Sequence, residues 1–393
     1  MEVKKTDPQK DAKKRAVRQR AWRLAHRLVR PVFERKYAFT IDALELEPPF
    51  LMIANHAMNI DPILVSIAYK KQPLSFVASE HLGRLGLTSK LLNRYFSIIS
   101  RSKASNAMGT VRSVMRALRA GDPVLLFAEG DCTWDGVSGK VFPATGKLVK
   151  AVGVPLVTYR MSGTYLTHPR WAERGRRGCI HGSLVHVYNT DELAAMTPEE
   201  VTDAINRDIY EDAWEGQLGS PAAFTARSPA EGLEKALFIC PKCGGIDCIT
   251  TKGSEVFCEH CGRIARMDEY ELLNDCAFRT IREWELFQRE KLREYLQNGV
   301  GSDFFKGTGK LSDLAEGKPK SRKAEFLLDI ASNCMTVNGE RIPLSEISDM
   351  AMVKTNRLLI SYGRSYYEIF SKRGILRPYL MTWQALRENT EGE

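Results

Sequence analysis

Between residues 50 and 159, four short apolar runs alternate with helical stretches, and each run stops at a polar residue. The runs are Phe50–Ala54, Phe76–Ala78, Val124–Ala128 and Val154–Tyr159. They are too short for core helices and too apolar for exposed strands, so they read as buried strands. Between them, Pro62–Ala68, residues 105–120 and Lys147–Val152 carry helical patterns. In residues 105–120 the apolar positions are Met108, Val111, Met115 and Leu118. Helical crossovers return successive strands in one direction, which predicts an α/β domain built on a mixed, largely parallel sheet flanked by helices. Gly182–Tyr188 adds a strand, and Pro198-Glu-Glu opens a helix reaching about Ala213. A chain of 393 residues exceeds the roughly 250–300 residues that one hydrophobic core organises, so further domains are expected.

Charge marks the first of them. Residues 1–36 hold 13 Lys and Arg against 4 Asp and Glu, whereas the rest of the chain holds 44 of each. The net charge of +9 therefore belongs to a basic arm on a neutral body. Residues 1–14 read as disordered. From Arg15 to Lys36, Val17, Ala21, Leu24, Leu28 and Val32 recur at helical spacing. Trp22, Val29 and Phe33 widen that face, and Arg20, Arg23, Arg27 and Arg30 fall opposite. Pro31 is expected to kink or divide the helix, because it has no backbone donor. The pattern suits a helix lying in a membrane interface and equally one that covers the body and shows its arginines to water. No run approaches the roughly 18 apolar residues of a spanning helix, and the charged first fifteen residues do not form a secretory leader. The expected location is cytoplasmic, peripheral on the inner face of the cell membrane.

The second half begins with residues 216–237, whose Gly, Ser, Pro and Ala suggest a linker. The nine cysteines are not a disulfide framework in a chain this long. Four stand as two knuckles, Cys240-Pro-Lys-Cys243 and Cys258-Glu-His-Cys261, separated by 14 residues. That spacing predicts a zinc ribbon over residues 238–268, with four thiolates closing a tetrahedral structural zinc site. Cys248 and His260 are spare donors. A closed shell leaves no position for a substrate. Few aromatics and little net charge make nucleic acid the weaker partner. Residues 269–299 read as a helical connector. Residues 300–393 form a β-rich module with turn signals at Asn338-Gly339 and Tyr362-Gly363, and a last helix near Pro378–Leu386. This module weakly resembles PH- or GRAM-like sandwiches, which bind lipid headgroups or proteins.

Chemistry concentrates where the apolar runs end. In open α/β sheets, sites form at the carboxyl ends of strands. Asn55-His56-Ala-Met-Asn-Ile-Asp61-Pro62 follows the first run at once. Asp61 before Pro62 suits a helix N-cap. It also suits a carboxylate that orients His56, leaving the other ring nitrogen as a general base; an unperturbed imidazole, with pKa about 6.5, is largely neutral at pH 7. Glu129-Gly130 follows the third run. Glu129 either engages an acceptor hydroxyl, or fixes a basic group that binds phosphate, or is a structural carboxylate bonded to loop amides. Arg101, after Ile98-Ile99, begins a loop as an anion contact or as a solvated arginine. Cys132 is a nucleophile only if a histidine meets it, and no such partner is visible in the sequence.

Four blocks in this order resemble the PlsC-like glycerolipid (lysophospholipid, 1-acylglycerol-3-phosphate) acyltransferase family. They are Asn55-His56-x4-Asp61, the block ending at Arg101, Phe127-Ala128-Glu129-Gly130-Asp131-Cys132, and Val154-Pro155-Leu156-Val157. The resemblance covers residues 37–215, about half of the chain. It implies the glycerolipid acyltransferase fold. It also implies that His56 deprotonates an acceptor hydroxyl, supported by Asp61, and that the alkoxide attacks the thioester of acyl-CoA or acyl-carrier protein. Asn55, Arg101, Glu129 and Gly130 would then bind the acceptor, a lysophospholipid at a membrane surface, by default 1-acylglycerol-3-phosphate. Ala128 stands where the family has proline, Tyr95 where it has glycine, and Cys132 where it has an arginine that contacts phosphate. Those departures bear on the acceptor more than on the reaction class. They also favour a rival reading, a non-catalytic lipid-binding adaptor acting through the ribbon and the C-terminal module. The intact His56-x4-Asp61 opposes it, since an adaptor has no use for a base.

Overall fold

The computed structural model describes residues 8–79, 98–101, 107–298, 305–314 and 321–391. The chain divides into two compact units, Met1–Thr167 with Arg177–Glu215, and His168–Arg176 with Gly216–Glu393.

The first unit is a mixed α/β sheet. Its strands are β1 (Thr40–Ile41), β2 (Leu51–Ala54), β3 (Ser75–Ser79), β4 (Ile98–Arg101), β5 (Val124–Leu126), β6 (Leu156–Ser162) and β7 (His181–Tyr188). The spatial order is β1-β7-β6-β2-β5-β3-β4. Every neighbouring pair is parallel except β6 with β7. The helices are α1 (Pro8–Tyr37), α2 (Asp61–Ile67), α3 (Ala107–Arg119), α4 (Ala144–Val152), α5 (Thr164–Thr167), α6 (Thr190–Ala195), α7 (Pro198–Asp208) and α8 (Ala213–Gly219).

Side-chain alternation along β2 explains the layering. Met52 and Ala54 face a core shared with Leu64 and Val65 of α2 and Trp22 of α1. Leu51 and Ile53 face the opposite core, with Val114 of α3, Val149 of α4 and Ile205 of α7. A strand buried on both faces must be apolar at every position, which is why β2 reads as a continuous run. Sequence boundaries differ at several ends: Arg101 ends a strand rather than opening a loop, the helix opened by Pro198 stops at Asp208 rather than near Ala213, and α1 begins at Pro8, within residues read as disordered.

Helix α1 runs unbroken through Pro31. It docks by one stripe only. Trp22 is buried and its Nε1 donates to Tyr69 O at 3.0 Å, and His26 Nε2 lies 2.8 Å from Ile67 O. Val29 and Phe33 pack on the same core. Val17, Leu24, Leu28 and Val32, on the other side, are each 60–64% exposed. The broad apolar face expected from sequence is thus two stripes, one covering the body and one facing out. No helix among the described residues is long and apolar enough to cross a membrane.

The second unit contains β8 (Ile249–Lys252), β9 (Glu255–Cys258), β10 (Gly262–Met267) and β11 (Leu273–Asn274), a small antiparallel sheet in the order β11-β10-β9-β8. Helix α9 (Ile281–Asn298) follows. A second antiparallel sheet has the order β15-β14-β13-β12-β18-β17-β16. Its strands are β12 (Phe305–Asp313), β13 (Ser321–Asp329), β14 (Cys334–Val337), β15 (Glu340–Pro343), β16 (Ile347–Val353), β17 (Arg357–Tyr362) and β18 (Ser365–Phe370), and α10 (Arg377–Glu391) closes the chain. Asn338 and Gly339 both take positive φ between β14 and β15, the geometry a two-residue hairpin requires. Residues 216–237, the expected linker, are mostly exposed over 216–227 and buried toward their end. Ala230, Leu233, Ala236 and Leu237 are fully buried, because the small residues of a linker-like composition also fill tight spaces. A buried ion pair ties the unit together: Arg377 Nη2 donates to Glu285 Oε1 at 2.5 Å, and Nη1 donates to Glu285 Oε2 at 2.8 Å and Ala236 O at 2.7 Å.

Candidate active site

The loop between β2 and α2 places a histidine at the carboxyl edge of the sheet and fixes it from several sides. His56 Nδ1 lies 3.0 Å from Asp61 Oδ2. Its backbone N–H donates to Glu129 Oε1 at 2.7 Å, and its carbonyl accepts from Thr133 N at 3.0 Å. The ring stacks on Phe127, with centroids 4.3 Å apart and planes 26° apart. Nδ1 is engaged by Asp61, which leaves Nε2 as the other ring nitrogen.

Asp61 is fully buried. Its Oδ2 also accepts the backbone N–H groups of Ala57 at 2.8 Å and Met58 at 2.7 Å. It is not the cap of α2: Ile60 holds that position, and Asp61 turns back into the loop instead. A carboxylate anchored by two amides presents a fixed acceptor to one ring nitrogen, which selects the tautomer.

Asn55 and Glu129, both expected to bind acceptor, brace the loop. The Asn55 side chain is buried, donates from Nδ2 to Met161 O at 2.9 Å, and accepts from Met161 N at 2.7 Å. It thereby continues the β2–β6 pairing one residue past β2. Each Glu129 oxygen takes a backbone N–H, one from His56 and one from Gly139 at 2.6 Å. This is the structural-carboxylate arrangement. Burial pushes the Glu129 carboxyl up to about 7, against the opposing pull of those two amides and the His56 charge.

Gly130 has φ +83°, and a Cβ there would lie 2.6 Å from Phe142 Cε2, so the turn after β5 admits only glycine. Arg101 ends β4 on the same edge as His56, paired in register with Ser79. Its side chain lies outside the described residues, as does Tyr95.

The electrostatics alter one expectation. Burial alone would lower the basicity of His56. The charge of the Cys132 sulfur, the hydrogen bonds with Asp61 and Cys132, and the Asp61 charge outweigh it, and the pKa stands well above the ordinary 6.5. The shift is toward the protonated ring, opposite to the neutral imidazole expected from an unperturbed histidine. The contacts of Phe127 and Thr133 with His56 were not foreseeable from spacing. The only signal was their place at and just after the end of an apolar run.

In the second unit the cysteines also converge. Ligand atoms of Cys240, Cys243, Cys258 and Cys261 all lie within 4.8 Å of one another, as do those of Cys243, Cys248, Cys258 and His260. The Cys243 and Cys258 sulfurs are 3.8 Å apart, close to the roughly 3.8 Å edge of a tetrahedron with 2.3 Å zinc–sulfur bonds. The Gly245 N–H donates to Cys243 Sγ at 3.4 Å. That contact pulls the Cys243 thiol down to about 6, toward the thiolate a metal needs. The cluster is compatible with a bound metal.

Comparison with known proteins agrees at the level of the domain. Residues 36–162 match the family model described as Acyltransferase. A crystal structure of the 1-acyl-sn-glycerophosphate (LPA) acyltransferase PlsC from Thermotoga maritima aligns at 17% identity over 52% of this chain and 81% of that one, with a TM-score of 0.43. No curated protein matches the chain. The segment that carries His56, Asp61 and Glu129, residues 36–162, is an acyltransferase-type domain.

Proposed function

We propose that the protein transfers a fatty acyl group from acyl-CoA or acyl-carrier protein to a hydroxyl of a lysophospholipid, with 1-acylglycerol-3-phosphate as the default acceptor. The observation that carries this reading is the His56–Asp61 pair at the carboxyl edge of a parallel sheet, within a domain matched by an acyltransferase family. Asp61 holds Nδ1, so Nε2 is the ring nitrogen that takes the acceptor proton. Asn55 and Glu129 act as positioning residues: they fix the backbone on both sides of His56. Arg101 is proposed as an anion contact for the acceptor phosphate.

The reaction is proposed to occur on the inner face of the cell membrane. The outward stripe of α1 supports this. It is apolar at Val17, Leu24, Leu28 and Val32, and Arg20 and Arg27 beside it are exposed. An interfacial helix combines such a stripe with cations that meet anionic headgroups. A structural zinc is proposed at Cys240, Cys243, Cys258 and Cys261. The ion would hold the two knuckles together, and no substrate chemistry is assigned to it.

The test is turnover of purified full-length protein with palmitoyl-CoA or palmitoyl-acyl-carrier protein and a panel of lysolipids, wild type against His56→Ala. Product from wild type and loss in the variant support the reading. Absence of product from wild type with every pair of donor and acceptor moves the adaptor reading ahead.

A further inference from the structure

The cysteine module gathers more donors than one tetrahedral ion takes. Its ligand atoms fall into two overlapping sets of four, and both sets contain the sulfurs of Cys243 and Cys258. We propose that the module holds two metal ions with Cys243 and Cys258 as bridging thiolates. Cys240 and Cys261 complete the first ion, and Cys248 and His260 Nδ1 complete the second. The inference rests on the structural zinc reading and adds a second, more weakly held ion to it.

Backbone pairing brings the additional donors in. Cys248 directly precedes β8, whose Ile249 pairs with Cys258 of β9, and Glu259 N donates to Cys248 O at 2.9 Å. The Cys248 and Cys258 sulfurs lie 3.5 Å apart as a result. In the first knuckle, Cys240 N donates to Gly245 O at 2.8 Å and Gly244 N donates to Cys240 O at 3.0 Å, which closes the turn that carries Gly245. A Cβ on Gly245 would lie 3.0 Å from Cys248 Sγ, 3.2 Å from Cys243 Sγ and 3.2 Å from His260 Nδ1. Three donors from separate parts of the module therefore converge beside a residue that has no side chain to part them. Nδ1 is the His260 atom nearest that point, so it is the ring nitrogen turned toward the sulfurs.

The distances fit two tetrahedra that share an edge. Zinc–sulfur bonds of about 2.3 Å span an edge of about 3.8 Å. The bridging sulfurs are 3.8 Å apart, and Cys248 stands 3.5 Å from one of them. Charge favours the same arrangement. One zinc with four thiolates leaves a net charge of −2, and two zincs with five thiolates leave −1. Binding of the second ion releases the Cys248 thiol proton to solvent, and His260 binds through the lone pair of a neutral ring. The second ion is held more weakly for two reasons. The bridging sulfurs divide their charge between the ions, and two cations about 3 Å apart repel each other. Its histidine ligand is also exposed, whereas Cys248 is buried.

The experiment equilibrates the full, reduced chain with zinc at rising free concentration, and in parallel with cadmium-113, a zinc surrogate whose nucleus is visible by NMR. Zinc is expected to bind to about two per chain at saturation, the second equivalent last. Cadmium should give two resonances, each split by the other through the shared sulfurs. Cys248→Ser should return the count to about one and leave a single unsplit resonance. His260→Ala should raise the concentration that fills the second site by about tenfold or more, at least the cost of losing an outer-shell partner. Retention of the first ion and an unchanged circular dichroism spectrum check folding of both variants. If Cys248→Ser does not fold, the wild-type splitting decides, because only a shared donor couples the two lines. One ion per chain at saturation, with one unsplit resonance, refutes the second ion and leaves the structural site standing. A second ion with an unsplit resonance that persists in Cys248→Ser is adventitious and refutes it equally. Folded wild type that binds no metal removes both readings.

Discussion

His56 is surrounded by groups that make it more basic, and this has a kinetic consequence. A base must be unprotonated, so kcat/KM should rise with pH along a limb whose midpoint lies above 6.5, in the direction of the shift. Removing the Cys132 sulfur removes a raising cause and leaves burial opposed by Asp61 alone, so the limb of any residual activity in Cys132→Ala should move to lower pH. A limb that stays in place would show that the sulfur does not charge beside the ring. The same shift affects folding. A histidine pKa raised in the folded state contributes stability below 6.5 that is lost as pH rises through the folded value. His56→Ala should lower turnover by about 10²–10⁴-fold with circular dichroism unchanged. Asp61→Ala should cost more than activity. It leaves the buried N–H groups of Ala57 and Met58 without their acceptor, about 1–3 kcal/mol each in chemical denaturation. The His56–Asp61 contact was legible, since five residues across a strand end and a helix start bring the two together. The bracing partners of Asn55 and Glu129 were not. Their partners lie 106 residues away at Met161, and 73 and 10 residues away at His56 and Gly139, and no local pattern encodes such pairings.

Helix α1 shows how an element can satisfy two readings that the sequence left open. Its docked stripe, Trp22, Val29 and Phe33, lies on the side away from Val17, Leu24, Leu28 and Val32. Periodicity merged them, because neighbouring apolar positions widen a face whether or not both sides have a partner. The separation makes a clean test. Leu24→Glu with Leu28→Glu should weaken sedimentation with vesicles containing anionic lipid, and leave thermal stability within about 0.5 kcal/mol, as for substitutions at exposed sites. Added salt should weaken wild-type binding further. Equal sedimentation of wild type and the double variant would remove the outward stripe from membrane contact. Trp22→Ala should act oppositely, costing about 3–5 kcal/mol of stability through the buried ring and its hydrogen bond to Tyr69 O.

At the scale of the whole chain, the second unit carries a device for cohesion of its own. In the second, Arg377 and Glu285 are almost fully buried and joined through both guanidinium nitrogens. Arg377→Ala leaves a buried carboxylate with one cation fewer and should destabilise that unit by about 3–5 kcal/mol, read as a lower denaturant midpoint. The cysteine cluster gives a second test. Metal analysis should find about one zinc per chain, as a four-thiolate site requires. Cys240→Ser should lose most of it, whereas Cys248→Ser should retain it. The reverse pattern would assign the ion to the alternative set of Cys243, Cys248, Cys258 and His260.

The sequence by itself determined the alternation of strands and helices, the His56-x4-Asp61 pair and the two cysteine knuckles. These depend on residues close along the chain, where spacing fixes geometry. It also marked the hairpin at Asn338-Gly339, since only certain residues accept positive φ at both positions. Only the tertiary structure decided that Ala230, Leu233, Ala236 and Leu237 are buried, that α1 presents two stripes, and that Asn55 and Glu129 brace the His56 loop. Only it brought the turn from Phe127 to Thr133 against His56. Such contacts arise when separate strands share one edge of a sheet, and burial there turns a residue with no visible partner into a paired one.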